Sequence, residues 1–241
     1  MTERAELISF PGLQEGLILG RKSLFTVEIL VNSTKVMAYL NNTGRLKGII
    51  ETGKKCYCIK NKKSSKTPIR IIGVEEDGLA SVVDTSIQEQ AFIIAQRRNL
   101  ISWLKDCIYI GKNQVVNGAV IDYIFNCSGK ITLVEIKSAV MRLPGNLAGY
   151  PDAPTSRGRK QIQALIKQVK KGVVGFIVFI AGIPGSLGFQ LYCEEDQLIG
   201  RIIYEASQRG VLFKALSMYL DPRRESIVLE NSDLPLNLEC R

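Results

Sequence analysis

Asp122, Glu135 and Lys137 are the residues of this 241-residue chain whose types and spacing point to chemistry. They lie in GAVIDYIFNCSGKITLVEIKS, Gly118 to Ser138, two apolar runs joined by Asn/Ser/Gly turn residues. That pattern is a β-hairpin signal. With a loop of Cys127 to Lys130, Asn126 pairs with Ile131, and counting back sets Asp122 opposite Glu135. The two-residue period of a strand then puts Lys137 on the face of Glu135. Carboxylates opposed across a sheet repel and destabilise the pairing. A divalent cation with a lysine beside it relieves that repulsion. The plainer alternative is a Glu135–Lys137 ion pair on a solvated face. Against it, VIDYIF and ITLVEIK are apolar on both faces, so the charges interrupt buried strands. Unpaired charges in such a place are costly.

The chain contains no histidine, so the usual nucleophile–histidine triads are excluded. A general base must be a carboxylate, a lysine, a thiolate or water activated by a metal. Six cysteines are scattered at 56, 58, 107, 127, 193 and 240 without a CxxC pair, which argues against a structural zinc site. Several sit in strand-like runs, and no secretory signal opens the sequence, so the expectation is a reduced, cytoplasmic chain, with Cys56 and Cys58 as core thiols. The longest apolar run, VVGFIVFIAG from Val173 to Gly182, is too short to span a bilayer and reads as a buried strand.

Two sets of elements surround the hairpin. From Leu13 to Val83 short β-runs alternate with turns (LFTVEILVN, KVMAYL, KCYCI, TPIRIIGV, LASVVD), the pattern of a small barrel or sandwich. Ser86-x-x-Glu89 reads as a capping box opening a helix that runs to about Lys105. A strand follows near Ile108–Val116, then the hairpin, a loop over Arg142–Pro154, a helix over Thr155–Lys171, the buried strand, a second helix and a strand near Val211–Tyr219. The fold expected is mixed: a small all-β barrel or sandwich over 1–85, and an α/β domain over 86–241 with the order αβββαβ and an added αβ pair.

The net charge of +9 suits a polyanionic partner. Nine cations fall between Arg45 and Arg70, among them Lys54, Lys55, Lys62, Lys63 and Lys66, against the single Glu51. On a small barrel such a run can follow a nucleic-acid backbone, with Tyr39 and Tyr57 as stacking platforms unless both are core. In the helix after Pro154, Ile162, Leu165, Ile166 and Val169 make the apolar face. Arg157, Lys160, Gln161, Lys167, Gln168 and Lys171 make a basic stripe, and the helix start adds N–H groups for an anion.

The chain resembles the sugar fermentation stimulation protein (SfsA) family over nearly its whole length. The matching segments are NTGRL (Asn42–Leu46), Lys66-Thr67, Val-Asp-Thr ending at Thr85, Ile121-Asp122-Tyr123, VEIKS (Val134–Ser138), PDAPTSRGRK (Pro151–Lys160) and the Gln208–Val211 stretch. The resemblance implies an N-terminal OB-like barrel, a C-terminal domain similar to PD-(D/E)XK nucleases, and DNA binding. It assigns the superfamily's Asp and Glu-x-Lys to Asp122, Glu135 and Lys137. Departures are Gln161 where the pattern usually has His, Ala119-Val120 where it has Ser-Arg, and Gln114-Val115 where it has Glu-Val. On this reading Asp122, Glu135 and the carbonyl of Ile136 hold Mg²⁺ or Mn²⁺. Lys137 positions or deprotonates the attacking water, or stabilises phosphoryl charge. Arg45, Lys54, Lys55, Lys66, Arg157, Lys160 and Gln161 grip DNA with weak sequence preference. The expected partner is DNA, with a homodimer left open and no membrane contact. The alternatives are a non-catalytic DNA-binding regulator linked to sugar metabolism and an oligomeric scaffold.

Overall fold

The computed structural model describes residues 4–61 and 66–240. Lys62 and Lys63 of the basic run lie outside the described residues. The first strands are β1 (Ala5–Ser9), β2 (Gln14–Ser23), β3 (Thr26–Val31), β4 (Thr34–Leu40), β5 (Lys55–Lys60), β6 (Ile69–Glu76) and β7 (Leu79–Val82). Strands β2 to β6 close into the expected barrel. β3 pairs antiparallel with β2 and β4, β5 pairs antiparallel with β2 and β6, and a parallel β4–β6 pairing shuts the ring. Alternation fills it: Val27, Ile29, Ala38, Leu40, Cys56, Cys58 and Ile71 are buried. β1 does not join the barrel. It pairs instead with Ser226–Asn231 near the other end of the chain.

The second half contains α1 (Thr85–Arg97), β8 (Cys107–Val116), β9 (Ala119–Cys127), β10 (Lys130–Ala139), β11 (Met141–Leu143), β12 (Leu147–Tyr150) and α2 (Ser156–Val169). These are followed by β13 (Val174–Ala181), β14 (Gly188–Leu191), α3 (Gln197–Gln208), β15 (Leu212–Asp221), β16 (Ser226–Asn231) and β17 (Leu236–Asn237). β8, β9 and β10 form an antiparallel meander, and β10, β13 and β15 run parallel. This is the expected αβββαβ order with its added αβ pair. β7 meets β15 at Ala80–Leu220, so one continuous sheet joins the barrel to the α/β domain.

The apolar run in β13 follows from a sheet covered on both sides. Phe176, Val178 and Ile180 pack with Ile87, Ala91, Phe92 and Ala95 of α1, while Ile177, Phe179 and Ala181 share a core with Ile162 and Leu165 of α2 and Ile199 and Ile203 of α3. Burying one such side chain stabilises the fold by roughly 1.5–3 kcal/mol.

Several local expectations differ from the structure. α1 is capped by Asp84, whose carboxylate accepts the Ile87 N–H, and not by Ser86. The helix stops at Arg97, and Trp103 sits in a short 3-10 turn, Ser102–Leu104. The Arg142–Pro154 loop contains β11's last residues and β12, which form a small second sheet with β14 and β17. The expectation of a reduced chain is corrected at four of the six cysteines. Cys107 faces Cys127 across β8–β9 and bonds to it, and Cys193 bonds to Cys240, while Cys56 and Cys58 stay free in the barrel core. Among the described residues, no helix is long and apolar enough to cross a membrane.

Candidate active site

β9 and β10 pair in the register expected, with Asn126 against Ile131 and Tyr123 against Val134. The loop is shorter than the four residues expected, because Cys127 already pairs with Lys130 and Ser128-Gly129 make the turn with positive φ at both positions. That is the turn chemistry of a two-residue hairpin, and the register is unchanged. Its continuation sets Asp122 across from Glu135. At that point the ladder ends, and the Asp122 carboxylate accepts the Ile136 N–H at 2.7 Å. An Asp side chain thus replaces a backbone acceptor and is held where β9 and β10 part.

Glu135 and Lys137 are 1% and 7% exposed and bonded at 2.6 Å, Lys137 Nζ donating to Glu135 Oε1. Lys137 Nζ also donates to Gln161 Oε1 at 2.8 Å, and Gln161 Nε2 donates to the Val120 carbonyl at 2.8 Å. Gln161 is therefore not part of the exposed stripe. It lies on the shoulder of the α2 apolar face, one residue from Ile162 and four from Leu165, and it is buried. This amide orients the lysine.

The trio floors a cleft of about 450 Å³ between the α/β domain and the barrel. Its wall on the barrel side is the Asn41–Gly44 loop; the opposite wall includes Tyr150, Asp152 and Arg157. The loop is clamped. Arg21 donates to the carbonyls of Leu24, Asn42, Gly44 and Arg45, Asp152 accepts the Leu46 N–H at 3.0 Å, and Arg45 pairs with Glu195. Gly44 is required by contact: a Cβ there would stand 2.3 Å from an Asp152 carboxylate oxygen.

The cleft's charge is unbalanced. Glu89, Asp122, Glu135 and Asp152 line it against Lys137 and Arg157. Burial pushes Glu135 up to about 7, with Lys137 pulling it down and Asp122 pushing it further up. Glu89 is likewise pushed up to about 7, first by burial and then by Asp122. Asp122 is raised by burial, opposed by the Ile136 N–H and by Lys137 and Arg157. Burial depresses Lys137, but Glu135, Tyr150 and Asp122 outweigh it and leave the ammonium above its ordinary value. An ammonium raised in this way favours charge stabilisation and positioning over proton abstraction.

A hard cation fits this donor set. Glu135 Oε2 is fully buried and has no hydrogen-bond partner, and a buried acceptor left unsatisfied costs about 1–3 kcal/mol. Carboxylate oxygens and a strand carbonyl suit Mg²⁺, Mn²⁺ or Ca²⁺. Among the described residues no group of three or more His, Cys, Asp or Glu side chains stands ready to hold a metal. A cation here would rest on two carboxylates, the carbonyl of Ile136 and water or phosphate oxygens.

The other sequence-expected residues are dispersed. Arg157 is exposed at the cleft, whereas Lys160 lies in a separate groove between α2 and α3 with Arg159 and Arg201. Lys55 pairs with Glu15, Lys54 donates to the Gly48 carbonyl, Arg70 is tied to buried Asp84, and Lys66 is exposed. Tyr57 is core and Tyr39 half-buried, so neither is an open platform. Glu89 and Phe25 line the cleft without having been singled out in sequence. Glu89 was concealed by its capping-box spacing from Ser86.

A closed β-barrel joined through one sheet to an α/β half, with an acidic, lysine-braced cleft where they meet, is the architecture that the fold and site define. The family models match in the same order: the SfsA N-terminal OB domain over residues 19–83 and the sugar fermentation stimulation protein RE domain over residues 84–224. The chain belongs to the sugar fermentation stimulation protein (SfsA) family. It is 33% identical to the homolog of Pyrococcus furiosus over 88% of this chain and 91% of that one, and 34% identical to that of Archaeoglobus fulgidus over 90% and 92%. The solved structure of Pyrococcus furiosus SfsA in complex with Ca²⁺ superposes with a TM-score of 0.91 at 30% identity, covering 97% and 99% of the two chains.

Proposed function

We propose that this chain is a DNA-binding protein with a divalent-cation-dependent phosphodiesterase site of the PD-(D/E)XK type and weak sequence preference. The observation that carries the reading is Glu135: a carboxylate buried opposite Asp122, one oxygen bonded to Lys137 and the other bonded to nothing. The Ca²⁺ complex of the Pyrococcus furiosus relative supports a hard cation in this family. Asp122, Glu135 and the Ile136 carbonyl would hold Mg²⁺ or Mn²⁺. When bound, the cation supplies Lewis-acid chemistry, neutralising phosphate charge and acidifying water. Lys137, fixed by Glu135 and Gln161, stabilises the charge that grows on the phosphoryl oxygens. Arg157 at the rim holds a neighbouring phosphate.

A second reading, a non-catalytic DNA-binding regulator, is favoured by the absence of a three-ligand group among the described residues. Incubating end-labelled single- and double-stranded oligonucleotides with Mn²⁺ and with chelator decides between them. Cleavage that needs the cation supports the first reading; binding without cleavage in Mg²⁺ or Mn²⁺ gives precedence to the second.

Either reading predicts binding that weakens with salt, by a slope of roughly 0.7–0.9 in log K per phosphate contacted. Arg157→Ala and Lys160→Ala should each lower that slope by about one unit and weaken binding alike on all sequences. An affinity unchanged over a fourfold rise in salt would contradict the DNA-binding claim.

A further inference from the structure

The candidate catalytic cleft has a deeply buried floor and holds an aromatic ring that its chemistry does not use. Its volume of about 450 Å³ is that of a small-molecule pocket. The floor is deep: Glu135 and Lys137 are almost wholly buried. The barrel-side wall is fixed to the other half by the Leu46–Asp152 and Arg45–Glu195 contacts, and Gly44 packs directly against Asp152. A floor this buried is easier to reach for a phosphate on a flexible single strand than for one inside a stacked helix.

Phe25 stands in the same cleft, 43% exposed in the two-residue turn between β2 and β3. The ring is left partly exposed where it lines the cleft. Phe25 is nevertheless held in place. Its carbonyl accepts the Leu40 N–H at 3.0 Å and its N–H donates to Ser23 Oγ at 3.3 Å. Its ring lies near-parallel to that of Tyr39, at 21° and 6.4 Å between centroids, and the Tyr39 hydroxyl is fixed by Asn41 Oδ1 at 3.1 Å. The ring is thus set against Tyr39 and left partly exposed in the cleft.

Resting on the function proposed above, we propose that the substrate is single-stranded DNA, or the frayed end of a duplex, threaded through this cleft with one base stacked on Phe25. The neighbouring phosphate then lies at Arg157 and the Asp122/Glu135 floor. Every base has a π-face, so such a contact selects single strands without reading sequence. Phe25 determines the form of the substrate and takes no part in the reaction.

The test measures fluorescence anisotropy of a labelled dT oligonucleotide, the same backbone made wholly abasic, and a blunt duplex, against wild type, Phe25→Ala and Phe25→Trp, with Ca²⁺ present. The wild type should bind the dT strand more tightly than the duplex. Phe25→Ala should weaken the dT strand about tenfold, within the range for loss of one stacked base, and leave the duplex and the abasic strand unchanged. Phe25→Trp should restore dT binding. Equal losses on all three ligands, no loss on the dT strand, or a wild type that prefers duplex would overturn the single-strand assignment while leaving DNA binding intact. A wild type that binds none of the three would overturn the assignment and the functional reading together.

Discussion

Asp122→Asn should abolish cation-dependent cleavage, a fall on the order of 10³-fold of the kind seen when one preorganised electrostatic contact to the reacting group is lost. The fold should survive, because the asparagine carbonyl still accepts the Ile136 N–H that Asp122 accepts at 2.7 Å. DNA affinity should stay level or rise slightly, since a negative charge beside the phosphate has gone. The pairing of results is what matters. Cleavage by the Asn variant at the wild-type rate would place the activity elsewhere or in a contaminant, and a matching fall in DNA affinity would mean that Asp122 acts on binding or folding.

Lys137→Met should produce the largest stability change. It removes the partner of a buried carboxylate, and breaking such a pair costs about 3–5 kcal/mol when the remaining charge cannot escape. Glu135 can escape by taking a proton. Its folded-state value is already pushed up to about 7 by burial, and losing Lys137 moves it higher. A carboxyl raised on folding contributes its stability fully below the unfolded value and loses it as pH rises through the folded one. The variant should therefore be close to wild type near pH 5 and much weaker near pH 8.5, measured by urea denaturation in chelator. A deficit equal at both values would contradict the assignment of Glu135 as the group left uncompensated.

Much of the site could be read in sequence because its geometry is local. The β9–β10 register depends on a turn a few residues away, so counting back from Asn126–Ile131 brought Asp122 opposite Glu135 even though the loop is two residues and not four. The apolar faces of α2 and β13 were legible for the same reason, since periodicity is a property of the segment itself. What was not legible is non-local. Nothing near Gln161 in the chain shows that Lys137, 24 residues earlier, needs an acceptor there. The basic run looked free for DNA because Glu15, Asp84 and Glu195, which engage Lys55, Arg70 and Arg45, are distant in sequence. Glu89 was hidden by a competing local motif, and Phe25 by being one aromatic residue among several in a strand-rich region. The parallel β4–β6 closure and the β12–β14 pairing join segments separated by long connections, which alternation alone cannot match.

The central claim is that the Asp122/Glu135 pair is a cation site, and calorimetric titration of Mn²⁺ into the chelator-treated protein at pH 6 and pH 8 tests it most directly. The ligands must be deprotonated, and burial has raised both. Saturable binding should therefore be tighter at pH 8, accompanied at pH 6 by proton release visible as a dependence of the heat on buffer ionisation, and absent in Asp122→Ala. No binding at pH 8, or binding that persists unchanged in Asp122→Ala, would contradict it.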